Sequence, residues 1–414
     1  MTDTAPEPRR RSTWKIVGIV AAAVVGILLV AVFWVRSVTE ARWERFREEM
    51  KGRAARERAR DPRRPVLRGT GEPGNAWDDY AIAIAELKKV PDRIKLNDLV
   101  QRTPKGDPAS GAAMVEQSPA VLDPLRRGAS RSTARIDFEW DKGFSMPVPG
   151  LSEGSQIVNL AVLKARSLLE AGKSREAAGL LLDAAQFGRD RADDGPMITE
   201  MIGVAMLSTA LEGLRELSAS EKADAESLAD MDQGLAVLEG SLPKHAACVR
   251  REQLGMGMTF VGEGASTLLP GASGMLPLKI LFLDAFGRLQ EAFDQYAKVS
   301  EGSWADCVAE GKRIDAEIQK SWNPLLKIVV PAQTSSERAM RERLAQLRLL
   351  RAGLRYRRTG ELLDLDDPFG TKLRSAKSGD GMKFWSVGAD GIDNGGVGEY
   401  RPRSGADIVL EARR

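Results

Sequence analysis

Residues 16–35 read IVGIVAAAVVGILLVAVFWV, an apolar run without one charged side chain. At a helical rise of about 1.5 Å per residue it covers roughly 30 Å, the hydrocarbon thickness of a bilayer. Trp14 and Trp34 flank it where an amphipathic ring prefers the headgroup layer, and Lys15 and Arg36 close it off. The run predicts one uncleaved membrane-spanning helix, since it is too long for a signal-peptide core and Val35-Arg36-Ser37-Val38 is a poor cleavage site.

Both flanks are basic, Arg9, Arg10, Arg11 and Lys15 before the run and Arg36, Arg42, Arg45, Arg47 and Lys51 after it. Charge counting therefore does not orient the helix. A short amino tail before a first hydrophobic segment usually stays inside, and a long following domain translocates whatever its charge. The expectation is a tail over 1–15 in the cytoplasm, a span over 16–35 in a bacterial inner membrane, and the rest on the periplasmic side.

The remainder of the 414 residues is rich in Ala, Leu, Arg and Glu and poor in aromatics, which favours helix over sheet. A formal net charge of +3 gives no global basic field, so nucleic acid is not an expected partner. Two cysteines exclude a disulfide-dense scaffold, and outside the cytoplasm a Cys248–Cys307 bridge between two helices is the expectation they raise. The one histidine, His245, leaves little room for imidazole chemistry. His245 and Cys248 stand three apart on one predicted helix, a spacing that with Cys307 and a carboxylate would suit a metal.

Working outward, residues 41–60 read ARWERFREEMKGRAARERAR, with Trp43, Phe46 and Met50 forming one narrow apolar stripe. That pattern predicts a solvated helical stalk, or a helix lying on anionic headgroups. Asp61-Pro-Arg-Arg-Pro65 and the glycines from Gly69 to Gly74 then mark a linker, so 36–75 reads as a juxtamembrane helix and linker. A helical body is expected over 76–333. Asn75 caps a helix from 77, Ile136, Phe138 and Trp140 alternate as a strand or extended segment, and helices follow over 157–170, 175–189 and 197–217. The last of these is expected to face Ile198, Met201, Ile202, Ala205 and Leu207 inward. Residues 168–190, LLEAGKSREAAGLLLDAAQFGRD, have the helix–turn–helix texture of a tetratricopeptide repeat, but without a second copy an ordinary bundle hairpin is the reading to prefer. Ser174 is the natural cap of its second helix, and Ser218 with Glu221 has capping-box spacing before another. Residues 255–277 read as an apolar loop, which would be mobile or would touch a partner or the membrane, and long helices resume at 278–299, 304–322 and 335–358. AWDDY, RIDFEWDKGF and the glycine-turn hairpin running into DGPMITEMIGVAMLSTALEGL, in that order over 76–217, resemble a set of uncharacterised bacterial membrane-anchored helical proteins. The resemblance implies a fold and no activity.

The carboxyl end carries the most specific pattern. A strong helix leads to Asp367-Pro368-Phe369-Gly370, then KFWSVGADGIDNGG over 383–396, then Ala406-Asp407-Ile408-Val409. Over 334–414 this order resembles the globular headpiece of the type II secretion major pseudopilin, in which a DPWG-like turn and a strand precede a glycine- and aspartate-rich calcium loop. The fold class expected is thus mainly α, with a span, a helical bundle and a small α+β cap. Calcium takes roughly six to eight oxygens at flexible geometry. Asp390, Asp393 and Asp407, helped by Ser386 and Asn394, would supply them, and the resemblance makes Asp390 and Asp407 the leading ligands. The prepilin-peptidase site of a true pseudopilin is absent at Trp14-Lys15-Ile16.

No catalytic constellation stands out. Gly150-Leu-Ser152-Glu-Gly154 matches the letters of a serine nucleophile elbow, but Pro147 and Pro149 disrupt the entering strand. The function expected is a membrane-anchored, non-enzymatic envelope protein that binds protein partners. The alternatives are a component of a type II secretion or pilus-like assembly, and an envelope hydrolase working with carboxylates such as Asp78-Asp79, Asp193-Asp194 or Asp366-Asp367.

Overall fold

The computed structural model describes residues 10–91, 93–102, 114–116, 118–262, 275–323, 326, 333–397 and 406–413, with the backbone alone for 10–18, 94, 97, 101 and 102. The chain is mainly helical, with two small sheets among the described residues.

Helix α1 (Arg10–Arg58) is one uninterrupted rod of 49 residues, about 73 Å long at the standard rise. Its amino-terminal part is long and apolar enough to cross a membrane, and none of its most apolar stretch is buried against the rest of the chain. No stalk follows. Trp43, Phe46, Met50 and Ala54 are all buried, and Met50 is fully enclosed. The narrow stripe on 41–60 is therefore a core seam, and neither the solvated stalk nor the helix laid on headgroups describes it.

The expected linker is packed as well. After α1 the chain passes as a strap over the body, where Arg64 and Leu67 are buried, into β1 (Glu72–Asn75) and α2 (Ala76–Leu87). Asn75 caps α2 as expected, its side chain accepting from Trp77 N–H. The chain continues through α3 (Leu96–Arg102), α4 (Pro119–Ser130) and β2 (Arg131–Thr133), which pairs parallel with β1. Among the described residues Ile136–Glu139 form neither the strand nor the extended segment expected: Phe138 N–H bonds the Ile136 carbonyl and Trp140 N–H that of Phe138, two tight turns that lead into a 3-10 turn, Trp140–Ser145.

Helices α5 (Leu151–Glu170) and α6 (Ser174–Ala192) form the expected hairpin, turning at Gly172 with φ 74°. Helix α7 (Met197–Ala219) lies against α6 at a very close approach. A Cβ on Gly203 would sit 2.4 Å from the Ala192 backbone nitrogen, and one on Gly188 2.9 Å from that of Leu207. Gly203→Ala is therefore expected to force two backbones apart and cost about 1–3 kcal/mol, as overpacking does, read as a lowered thermal midpoint.

Three local expectations give way here. Ser174 does not cap α6; its hydroxyl donates to Asp224 Oδ2 at 2.5 Å and ties the hairpin turn to the next helix. That helix, α8 (Ala225–Ser241), is capped by Asp224, not by Ser218 or Glu221, because α7 runs on to Ala219. The buried face of α7 is also rotated, leaving Ile198 and Met201 nearly half exposed while Thr199 and Glu200 face inward. Thr199 is held by the Asp194 and Pro196 carbonyls just before the helix, and Glu200 by the tertiary partners described below, and these decide the rotation.

Helix α9 (His245–Val261) continues through Gly255 and Gly257, so the expected loop does not begin at 255, and residues 263–274 lie outside the described residues. Gly257 is needed in the helix because a Cβ there would meet Met50 Sδ of α1 at 2.4 Å. Helices α10 (Leu276–Ser300), α11 (Trp304–Lys320) and α12 (Gln333–Thr359) follow, then the antiparallel sheet β3 (Arg374–Ser378), β4 (Gly381–Ser386), β5 (Ile408–Arg413).

Body and cap are not separate units. Phe369, Met382, Phe384, Ile408 and Leu410 of the cap belong to the same buried cluster as the leucines of α5, α6 and α7. The arginines of α12 meet the acids of α8, Arg348 on Glu239 at 2.7 Å and Arg355 and Arg358 on Asp232 at 3.2 and 3.1 Å.

Candidate functional site

A cleft of about 770 Å³ opens where the α8–α9 turn, the α10–α11 turn, the start of α12 and the Asp367–Gly370 turn meet. Trp304 and Phe369 line it as a T-shaped pair 5.6 Å apart. Arg341 builds its wall. That guanidinium donates to the carbonyls of Ser300 at 3.0 Å, Gly302 at 2.8 Å and Pro368 at 2.8 Å, and is held by Glu337 at 2.6 Å. One side chain thus ties α12 to both turns that frame the opening.

The other wall depends on Asp367. Its Oδ1 accepts from Phe369 N–H at 3.0 Å and Ser386 Oγ at 2.7 Å, and its Oδ2 from Val387 N–H at 2.9 Å. The turn that reads as DPFG in the sequence is thereby pinned to the end of β4.

Under the cleft lies a buried polar cluster. His245 Nδ1 pairs with Glu200 Oε2 at 2.8 Å, and Ser336 Oγ donates to the same oxygen at 2.8 Å. Burial alone would push the imidazole down, but the Glu200 carboxylate outweighs it and holds His245 above its ordinary value. Glu337 adds to that pull, and Gln333 also faces the ring. Burial and the same carboxylate push the Cys248 thiol well up, so it is a protonated, inert group. Among the described residues, Glu200, His245 and Cys248 are the one set of metal-ligand types whose donor atoms converge within 4.8 Å. Cys307 does not join them. The donor types suit zinc, yet the hydrogen bonds focused on one buried carboxylate account for the convergence without it.

Glu200 is the residue that sequence reasoning missed. Its signal was a lone acid inside the apolar stretch MITEMIGVAM. The cluster makes stability depend on pH. A raised imidazole pKa means its contribution is complete below the ordinary histidine range near ~6.5 and is lost as pH rises through the folded-state value. The apparent thermal midpoint should therefore fall on the alkaline side of that range, and His245→Gln should flatten the fall. Asp183 and Asp194, which burial pushes up to about 6, lose their contribution at lower pH, between the ordinary carboxylate range and about 6. The difference between wild type and variant isolates His245.

The expected Cys248–Cys307 bridge is not made. Both thiols are free and buried, Cys248 beside Glu200 and Cys307 with its Sγ 3.1 Å from the Val299 carbonyl and 3.6 Å from Arg341. Their helices present them to different neighbours.

The calcium residues are gathered at one loop, but much of their oxygen is occupied. Asp390 accepts from Ile392 N–H at 2.9 Å. Asp393 Oδ1 accepts from Trp385 Nε1 and Gly395 N–H, both at 2.9 Å. Asp407 Oδ2 accepts from Asn394 N–H at 3.1 Å and Gly396 N–H at 2.8 Å. Ser386 is engaged by Asp367, and Asn394 donates to the Ile392 carbonyl. Asp407 is nearly fully buried, and among the described residues no donor reaches its Oδ1.

The carboxylate pairs are engaged too. Asp79 binds Arg127 at 3.1 Å and Arg131 at 2.8 Å, Asp194 binds Arg60 at 3.1 Å and Ile136 N–H, and Asp366 pairs with Lys372 at 2.9 Å. Ser152 lies in the first turn of α5 with its hydroxyl on Glu153, while His245, the base a serine elbow would need, is paired with Glu200.

No family model matches the chain, and no curated protein or solved structure matches it either.

Proposed function

We propose that this chain is a single-pass, membrane-anchored binding protein of the bacterial envelope, with its body on the extracytoplasmic face and the cleft as its partner-binding surface. The observation that supports this reading is the continuity of α1, which leaves an apolar, unpacked segment and enters the core of the body without a break. The cleft lies at the carboxyl end of α10, about 30 Å along that helix from Lys279, which meets α1 at Glu40. A rigid anchor would thus hold the opening at a set height above the lipid. Because Asp79, Asp194 and Asp366 are each held in an ion pair, we favour a binder over a hydrolase.

Alkaline carbonate should leave the protein with the membrane, and protease added to spheroplasts should degrade the body. Release by carbonate would remove the anchor; protection until lysis would reverse the orientation. Lys244→Glu, an exposed substitution on the rim of the cleft, should weaken partner cross-linking without changing the thermal midpoint by more than a few degrees.

A second reading rests on Asp407. A buried carboxylate oxygen that no donor among the described residues reaches, inside a glycine-rich loop, suits a pseudopilin-like, calcium-stiffened cap. Calorimetry of the full chain with millimolar calcium, against Asp390→Ala, tests it: heat and a raised midpoint that the variant lacks support the site, and identical traces dismiss it. Membership of a secretion assembly would further require co-purification with that machinery.

A further inference from the structure

We infer that the body itself rests on the bilayer, through the first turns of α10 and the neighbouring Trp322, which would occupy the lipid headgroup layer beside the span. This inference deepens the anchored reading and depends on it.

Helices α1 and α10 run parallel in register. Lys279 Nζ pairs with Glu40 Oε2 at 2.6 Å and lies 5.6 Å from the Trp43 ring centroid, and one helical stretch later the Phe46 and Phe286 rings meet at 4.4 Å. Depth along α1 can therefore be read across to α10. Glu40 stands five residues, about 7.5 Å, beyond Val35 at the end of the apolar run. Met275 stands four residues, about 6 Å, before Lys279. Met275 thus comes level with Arg36, where hydrocarbon gives way to headgroups.

The side chains at that level are of the type the layer selects. Met275 is 54% exposed and Ile280 38%. Trp322 is 64% exposed, and it is held close by because Asn323 Nδ2 donates to the Leu281 carbonyl at 2.9 Å and to Asp284 Oδ2 at 3.0 Å. Exposed aliphatics about 2–9 Å beyond the end of the span, with an exposed tryptophan anchored about 10–15 Å beyond it, have the composition of the interfacial aromatic belt. Arg36 is exposed on α1 at the height of Met275, where lipid phosphates would meet it, and Arg42 and Arg45 are exposed about 9 and 13.5 Å further along the helix. Lys279 is only 12% exposed and is neutralised by Glu40, so the contact between the two helices survives the approach of lipid.

The test uses the full chain in vesicles of phosphatidylcholine and phosphatidylglycerol, with a nitroxide placed at Ile280→Cys or, at the other end of α10, at Glu301→Cys. The native thiols are both buried and are not expected to label. The label at 280 should be relaxed several-fold more by lipid-borne oxygen than by an aqueous nickel chelate, and the label at 301 the reverse. Preferential relaxation of the 280 label by nickel, in vesicles from which carbonate does not release the protein, overturns the inference while sparing the anchor. Release by carbonate would instead defeat the anchor itself. Trp322 gives an independent reading. The fluorescence lost in Trp322→Phe should be quenched by lipid nitroxides near the headgroup and not by iodide, and the opposite preference would overturn the contact.

Discussion

Replacing Asp190 by alanine is expected to unfold the body. Asp190 is almost fully buried in α6 and stands at the centre of a polar hub. Arg64 of the strap approaches it at 3.1 Å, with both side chains out of solvent, and Arg189 lies at 3.3 Å. Tyr80 Oη donates to its Oδ2 at 2.8 Å and Gln186 Nε2 to its Oδ1 at 2.9 Å. Removing the carboxylate strands a buried guanidinium, which typically costs about 3–5 kcal/mol. The orphaned hydroxyl and amide add about 1–3 kcal/mol each. Against a total stability of roughly 5–15 kcal/mol, that is most of the fold. The thermal midpoint in detergent should collapse, whereas Tyr80→Phe, which removes one donor and leaves the ion pair, should lower it modestly. Pairing Asp190→Leu with Arg64→Met should recover much of the loss, because the buried charge then disappears with its partner. An Asp190→Ala midpoint within a few degrees of wild type would show that the strap is held by something else.

The second large effect concerns where the chain can be cut. A chain beginning at Thr39 keeps the core seam of Trp43, Phe46, Met50 and Ala54, and it should fold and remain in solution. A chain beginning at Asp61, after the apparent stalk, loses that seam. Phe46 packs on Phe286, and Met50 fills the gap beside Gly257. Together with Met258 and Phe286 these side chains form a cluster of their own. Deleting a buried aromatic costs about 3–5 kcal/mol, and here two aromatics and a methionine leave together. The shorter chain should aggregate or elute as an expanded species in size-exclusion chromatography, while the longer one should elute compactly and melt cooperatively. A cooperative melt from the chain beginning at Asp61 would restore the reading of 41–60 as a stalk.

These two cases also mark what was legible beforehand. The narrowness of the Trp43–Met50 stripe suggested a solvated helix, because one apolar residue per turn buries little. It is buried nonetheless, since α9 carries a glycine at 257 and α10 brings Phe286 against it, so a thin stripe suffices where the facing backbone comes close. The proline- and glycine-rich stretch 61–74 looked like a linker because it lacks period. Its order comes from partners more than a hundred residues away, such as Asp190 for Arg64 and Gln186 for the Leu67 amide.

At the candidate site the pattern repeats. His245 and Cys248 were visible as a pair because helical spacing is local, but Glu200, which organises them, arrives from α7, and no spacing rule reaches across forty-five residues. The Asp367 turn was readable as a turn, while its role as a wall of the cleft depends on Ser386 and on the Arg341 clamp.

The sequence by itself determined the elements whose cause is near-neighbour chemistry: the apolar rod at the amino end, the order and approximate extent of the long helices, the Asn75 cap, the glycine turn at 172 and the helix-then-sheet ending. Periodicity, caps and turns act over a few residues, so they can be read from a few residues. The tertiary structure alone decided that strap, body and cap share one interior, which face of α7 points inward, that the two thiols stay apart, and where the cleft opens. Those outcomes follow from which distant surfaces approach closely enough to exclude water, and a buried ion pair or a glycine at a helix crossing acquires its meaning only once its partner is in place.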